Sequence, residues 1–159
     1  MSSLSLISPL SLKQRAVWSM INKGLSPAAI ARKLKTTRQF VNQTKLAAEA
    51  KLTKTLLDVA QANDLQVRKV YAKNGLLLGY HAGLDRNVIV TYSSKHGIKV
   101  WYWQDKPEEV TNKEFLKQTL GYLIDIADER GISVSDTERM HPAKLANLIF
   151  SELIPELKQ

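Results

Sequence analysis

The chain has 159 residues, 44% of them apolar and 24% charged, which suits one ordinary domain or a small one with a second lobe and excludes a disordered chain. It has no cysteine, so a disulfide framework and a thiolate metal site are excluded. The formal net charge of +8 is unevenly placed: residues 1–54 hold ten Lys/Arg against the single acid Glu49, and residues 55–159 hold thirteen Lys/Arg against fourteen Asp/Glu. A basic end on a near-neutral remainder suggests a polyanion partner for one lobe, with a solvated basic face as the alternative.

The first fifteen residues lack a basic region followed by a long apolar core and do not read as a signal peptide. No apolar run approaches the roughly 20 residues needed to cross a bilayer. A cytoplasmic location and no membrane partner are therefore expected. Residues 1–10 read as an arm or lead-in. Ser11 can cap a helix from about Leu12 to Lys23, with Leu12, Ala16, Val17, Met20 and Ile21 on its packed face and Trp18 at the edge. Gly24 suits the left-handed stop, and Leu25 can pack back.

Ser26 and Pro27 open a second helix, with Ile30, Ala31 and Leu34 at helical spacing on one face. Thr37, or Thr36, can cap a third by accepting a free backbone N–H of its first turn. That helix shows Arg38, Gln39, Asn42, Gln43 and Lys45 on its outer side, the side-chain types that pair with base edges and phosphates.

The motif Gly24-Leu25-Ser26, then Ile30-Ala31, Leu34 and Val41, resembles the three-helix unit of LuxR-type regulators, sigma-factor region four and archaeal Tfx-type regulators. The resemblance covers about a quarter of the chain. It implies a helix-turn-helix DNA-binding unit whose third helix enters the major groove, with Thr37, Arg38, Gln39, Asn42 and Gln43 facing bases, Thr36 beside them, and Lys33, Lys35 and Lys45 on phosphates. One departure stands out: Lys35 occupies the turn position usually given to glycine and would need a left-handed conformation.

Neither Gly nor Pro interrupts the third helix before about Asn63, so it outruns a minimal unit. It carries two apolar stripes, Leu52, Leu56 and Val59 on one and Leu46, Ala50, Leu57 and Ala60 on the other. Two stripes can serve the chain's own second lobe and a twofold partner, so a homodimer is one expectation and a purely connecting helix the other.

Short runs rich in Val, Ile, Leu, Tyr and Trp follow at Gln66–Ala72, Leu76–His81, Val88–Ser93 and Ile98–Trp103. With turn residues between them, Asn74-Gly75 above all, they predict an antiparallel meander of three or four strands. The long helix in between argues against a wing of the DNA-binding unit. Trp101 and Trp103 fall on one face of the last strand and Tyr102 on the other. Asp105–Glu109 reads as a linker. A capping box at Thr111–Glu114 then opens a helix to about Arg130, with Phe115, Leu116, Leu120, Leu123, Ile124 and Ala127 apolar and Gly131 closing it. Asp125, Asp128, Glu129 and Arg130 read as a solvated face. Ser135–Glu138 is a further cap signal, and Pro142 opens a last helix with Leu145, Leu148, Ile149 and Leu153 buried. The order of helix, ADERGI and HPAKL helix resembles the C-terminal half of Tfx-type proteins.

His81, His96 and His141 fit no metal-ligand spacing, and no phosphate-binding glycine loop or nucleophile elbow occurs. No cofactor, metal or catalytic role is expected. The predicted fold class is α+β: a three-helix helix-turn-helix domain with a long third helix over residues 1–63, then an α+β domain over residues 64–159 with a small antiparallel sheet packed by C-terminal helices. The expected function is sequence-specific binding of double-stranded DNA in transcription regulation, with any effector unidentified. The alternatives are an RNA-binding protein or a protein-interaction adaptor using the same basic lobe.

Overall fold

Hydroxyl caps start the first three helices in the computed structural model, which describes residues 8–104, 112–135 and 140–158. Ser11 and Gln14 bond reciprocally, each side chain to the other's backbone N–H, and open α1 (Leu12–Asn22). Ser26 accepts from the Ala29 N–H ahead of α2 (Pro27–Leu34), whose first residue is the proline. Thr37, not Thr36, caps α3 (Arg38–Ala62) by accepting the Phe40 N–H at 3.0 Å. At 25 residues α3 spans about 37 Å, more than the other two together.

Val17, Ile30, Ala31 and Val41 form the small core that joins α1, α2 and α3. The packed face of α1 is turned from the expected one. Leu12 is 78% exposed and Trp18 is buried, because Trp18 meets Tyr92 of the sheet edge-on at 4.9 Å. Along α3 the buried line runs Val41, Thr44, Ala48, Leu52, Leu56, Ala60. The expected second stripe splits: Ala60 is buried, while Leu46, Ala50 and Leu57 are exposed.

The strands β1 (Gln66–Tyr71), β2 (Leu76–His81), β3 (Arg86–Ser93) and β4 (Gly97–Tyr102) form an antiparallel meander in sequence order. Leu77 pairs with Val90 and Val90 with Val100, so these three share a face. That face packs on Leu56 and Ala60 of α3, with Tyr102 beside it. The opposite face carries Leu76, Leu78, Ile89, Trp101 and Trp103 and packs on the C-terminal helices α4 (Lys113–Glu129) and α5 (Pro142–Leu153). Both sheet faces are covered, which is why β2 can read Leu-Leu-Leu without a polar alternation. The architecture is thus α+β, with α3 on one side of the sheet and α4 and α5 on the other.

Asn112 caps α4 by accepting the Phe115 N–H. Thr111, the Asp105–Glu109 linker, most of the first ten residues and the 136–138 part of the Ser135–Glu138 signal lie outside the described residues. Phe115 and Leu148, both expected in the core, are 58% and 53% exposed. The packed face of α4 instead runs through Leu120, Leu123 and Ile126, and that of α5 through Leu145, Ala146 and Ile149.

Candidate functional site

The outer surface of the α2–α3 corner collects the residues singled out in the sequence. Lys35 does adopt the left-handed conformation, at φ 55° and ψ 51°. The bend lets the Thr36 N–H return to Ala31 O at 2.9 Å, which closes α2 and sets Thr37 to cap α3. Pro27, Ser26 and the left-handed Gly24 fix the other end of α2. A short helix meeting a long one through a tight turn therefore follows from local chemistry alone.

Lys33, Lys35, Thr37, Arg38, Gln39, Asn42 and Gln43 are exposed, and Thr36 and Lys45 are half-buried. Arg38, Gln39, Asn42 and Gln43 occupy the first two turns of α3, opposite Val41 and Thr44, which face inward. Lys45 pairs with Glu49 at 3.4 Å, one turn on. Among the described residues Lys33, Lys35 and Arg38 make no ion pair, so their charge faces solvent. Lys13, which no sequence motif marks, has its ammonium 5.5 Å from the Phe40 ring and adds a cation at the start of α3. Only the packing of α1 across α3 reveals it.

The β1–β2 connection also reaches this surface, although α3 separates it from α2 in sequence. It is a 3-10 turn (Ala72–Asn74) closed by left-handed Gly75. The Asn22 side-chain amide at the end of α1 donates to Lys73 O at 2.9 Å and to Trp18 O at 3.0 Å. Gly75 sits so close to Trp18 that a Cβ there would lie 3.0 Å from its ring, at a φ of +67°. A groove of about 310 Å³ results, lined by Ile21, Gly24, Leu25, Pro27, Asn42, Lys45 and Lys73.

Behind that turn, the four charges expected on a solvated face of α4 divide. Glu129 and Arg130 are buried. Arg130 donates to Asn74 O, Ile126 O and Tyr92 O, and its guanidinium lies 5.3 Å from the Trp18 ring. Burial pulls its guanidinium down to about 10, so it stays charged at neutral pH. Glu129 Oε1 accepts from Ser93 Oγ, Ser94 N and Ser94 Oγ within 3.1 Å, which gathers the β3–β4 turn. A charge run on a helix reads as surface because nothing local announces the Ser93-Ser94 partners. His96, beside the β3–β4 turn, is partly buried and bonds Asp125 at 2.8 Å. Tyr122 beside it is pushed up to about 12 by burial.

Trp101 and Trp103 pack toward α4 and α5, and Tyr102 toward α3. Among the described residues no cluster of three or more His, Asp or Glu could hold a metal ion. No described helix is long and apolar enough to cross a membrane. No family model, curated protein or solved structure matches this chain.

Proposed function

We propose that the chain is a sequence-specific double-stranded DNA-binding protein, a transcription regulator rather than an enzyme. On this reading α2 and α3 act as a helix-turn-helix, and α3 enters the major groove by its first two turns. The observation that carries it is the exposed set Arg38, Gln39, Asn42 and Gln43 on those turns, with the cations Lys33 and Lys35, which make no ion pair among the described residues, beside it. Arginine can grip guanine O6 and N7 with its fork, and glutamine or asparagine can pair with adenine N6 and N7. Lysines around them supply the sequence-independent attraction to phosphate. The exposed stripe of Leu46, Ala50 and Leu57 supports a homodimer as part of the same reading. Sedimentation should then show a dimer for the wild type and a monomer for Leu46→Glu/Leu57→Glu.

The test of DNA binding is a labelled random-duplex selection across a salt series. Wild type should bind with an affinity that falls steeply with salt and should enrich a preferred sequence. Arg38→Ala/Gln39→Ala should abolish the enrichment, and Lys113→Ala/Lys117→Ala should leave it intact. Failure of the wild type to bind duplex at low salt would remove this reading in favour of a protein-binding role for the basic lobe.

A further inference from the structure

Resting on the duplex-binding reading, we propose that the β1–β2 turn is a third element of the DNA interface, with Lys73 holding a backbone phosphate next to the bases read from α3. Four observations support this. Lys73 is exposed and makes no ion pair among the described residues. It lines one groove together with Asn42 and Lys45 of α3, so it borders the base-reading turns although it comes from the near-neutral part of the chain. The turn that carries it is held at three successive residues: Asn22 bonds Lys73 O, Arg130 bonds Asn74 O, and Gly75 packs on Trp18. The ammonium therefore projects from a fixed backbone rather than from a loose loop, which lowers the ordering cost of a contact. Finally, the side of α3 that faces the groove carries a second lysine, Lys45, paired with Glu49 one turn on, so the lining itself holds two cations and no acid.

A duplex strand running past Asn42 toward Gly24 would place a phosphate between Lys45 and Lys73. Such a contact adds affinity and fixes register without reading sequence. Asn22 is then a positioning residue: it touches no DNA but fixes the carbonyl of the lysine that does.

The experiment measures binding of one selected duplex across a salt series for wild type, Lys73→Gln, Lys73→Arg, Lys45→Gln, Asn22→Ala and the Asn22→Ala/Lys73→Gln double variant. Lys73→Gln should weaken binding about fivefold and reduce the slope of log affinity against log salt by about 0.9, the share of one phosphate. Lys73→Arg should keep both values, and sequence selection should be unchanged in each. Asn22→Ala should weaken binding in the wild type but add nothing to Lys73→Gln. Wild type that binds no duplex overturns this proposal together with the reading beneath it. Duplex binding that Lys45→Gln weakens and Lys73→Gln leaves unaltered overturns this proposal alone. A changed base preference in Lys73→Gln would also overturn it, by moving the contact from phosphate to base.

Discussion

The Nε of Arg130 donates to the backbone carbonyl of Asn74 at 2.9 Å, tying the end of α4 to the β1–β2 turn across 56 positions of the chain. The same side chain reaches Tyr92 O in β3 and lies over Trp18 of α1. One buried cation thus touches elements from the start, middle and end of the chain. Its cost of desolvation is offset by three carbonyls, an aromatic face and the neighbouring Glu129 carboxylate.

Removing this cation should be expensive. Arg130→Met keeps volume but takes the side-chain donor from three carbonyls and the neighbouring positive charge from Glu129, so the chain should lose about 3 kcal/mol of stability. Arg130→Lys keeps the charge but not the fork, and should recover only part of that loss. Urea unfolding at neutral pH measures both. A loss in Arg130→Met below about 1 kcal/mol would mean that the carbonyls find other donors.

Asp125 carries a pH dependence on the acid side. Partial burial pushes its carboxyl up, but hydrogen bonds from His96 and Lys95 and their charges outweigh this and hold it below its ordinary value. A carboxyl whose folded pKa lies below its unfolded value contributes stability above the unfolded value and loses it as pH falls through the folded one. The thermal midpoint of the wild type should therefore exceed that of Asp125→Asn at neutral pH, and the gap should close as pH drops below about 4. A gap that persists unchanged at pH 2 would show that the carboxylate charge is not what Asp125 contributes.

The contrast between caps and core explains what the sequence could convey. Ser11, Ser26, Thr37, Gly24 and Gly131 act within a few residues of themselves, and the structure has each where helix-end chemistry puts it. The α+β order and the four strands follow similarly from periodicity and turn residues. Periodicity, however, says only that one helix face is apolar, not how much of it another element covers. Leu12, Leu46, Phe115 and Leu148 lie on apolar stripes, but no other described element covers them. Glu129 and Arg130 show the converse error, because their partners Ser93, Ser94, Asn74 and Tyr92 lie 35 or more residues away and share no local pattern with them. At the candidate site, Arg38, Gln39, Asn42 and Gln43 were legible from one helix. Lys13 and Lys73 were not, because they arrive there by tertiary packing.

The Thr37 cap gives a test that separates folding from binding. Thr37→Ala removes the acceptor of the Phe40 N–H and should destabilise the chain by about 1 kcal/mol. Thr37→Asp restores an acceptor and favours the helix N-terminus, so it should recover or exceed wild-type stability. The same carboxylate would stand where the proposed duplex approaches, and should weaken binding severalfold at low salt. Melting curves and duplex titrations on the two variants make the comparison. Equal affinity of Thr37→Asp and wild type would place the DNA away from the start of α3.

Lys35 should show the sharpest opposition between stability and function. Its left-handed backbone at φ 55° costs a side-chain-bearing residue about 1 kcal/mol that glycine avoids. Lys35→Gly should therefore raise the thermal midpoint by a few degrees, a shift of the size expected for that energy in a chain of this length. It also deletes an exposed cation, one with no ion pair among the described residues, beside Arg38 and Gln39. Duplex affinity should fall with a shallower salt slope, while sequence preference is kept. Lysine at a position where glycine folds better is then explained by the phosphate it holds. If Lys35→Gly gains stability and binds duplex as tightly as wild type, with the same salt slope, Lys35 makes no such contact and its strain has no functional return.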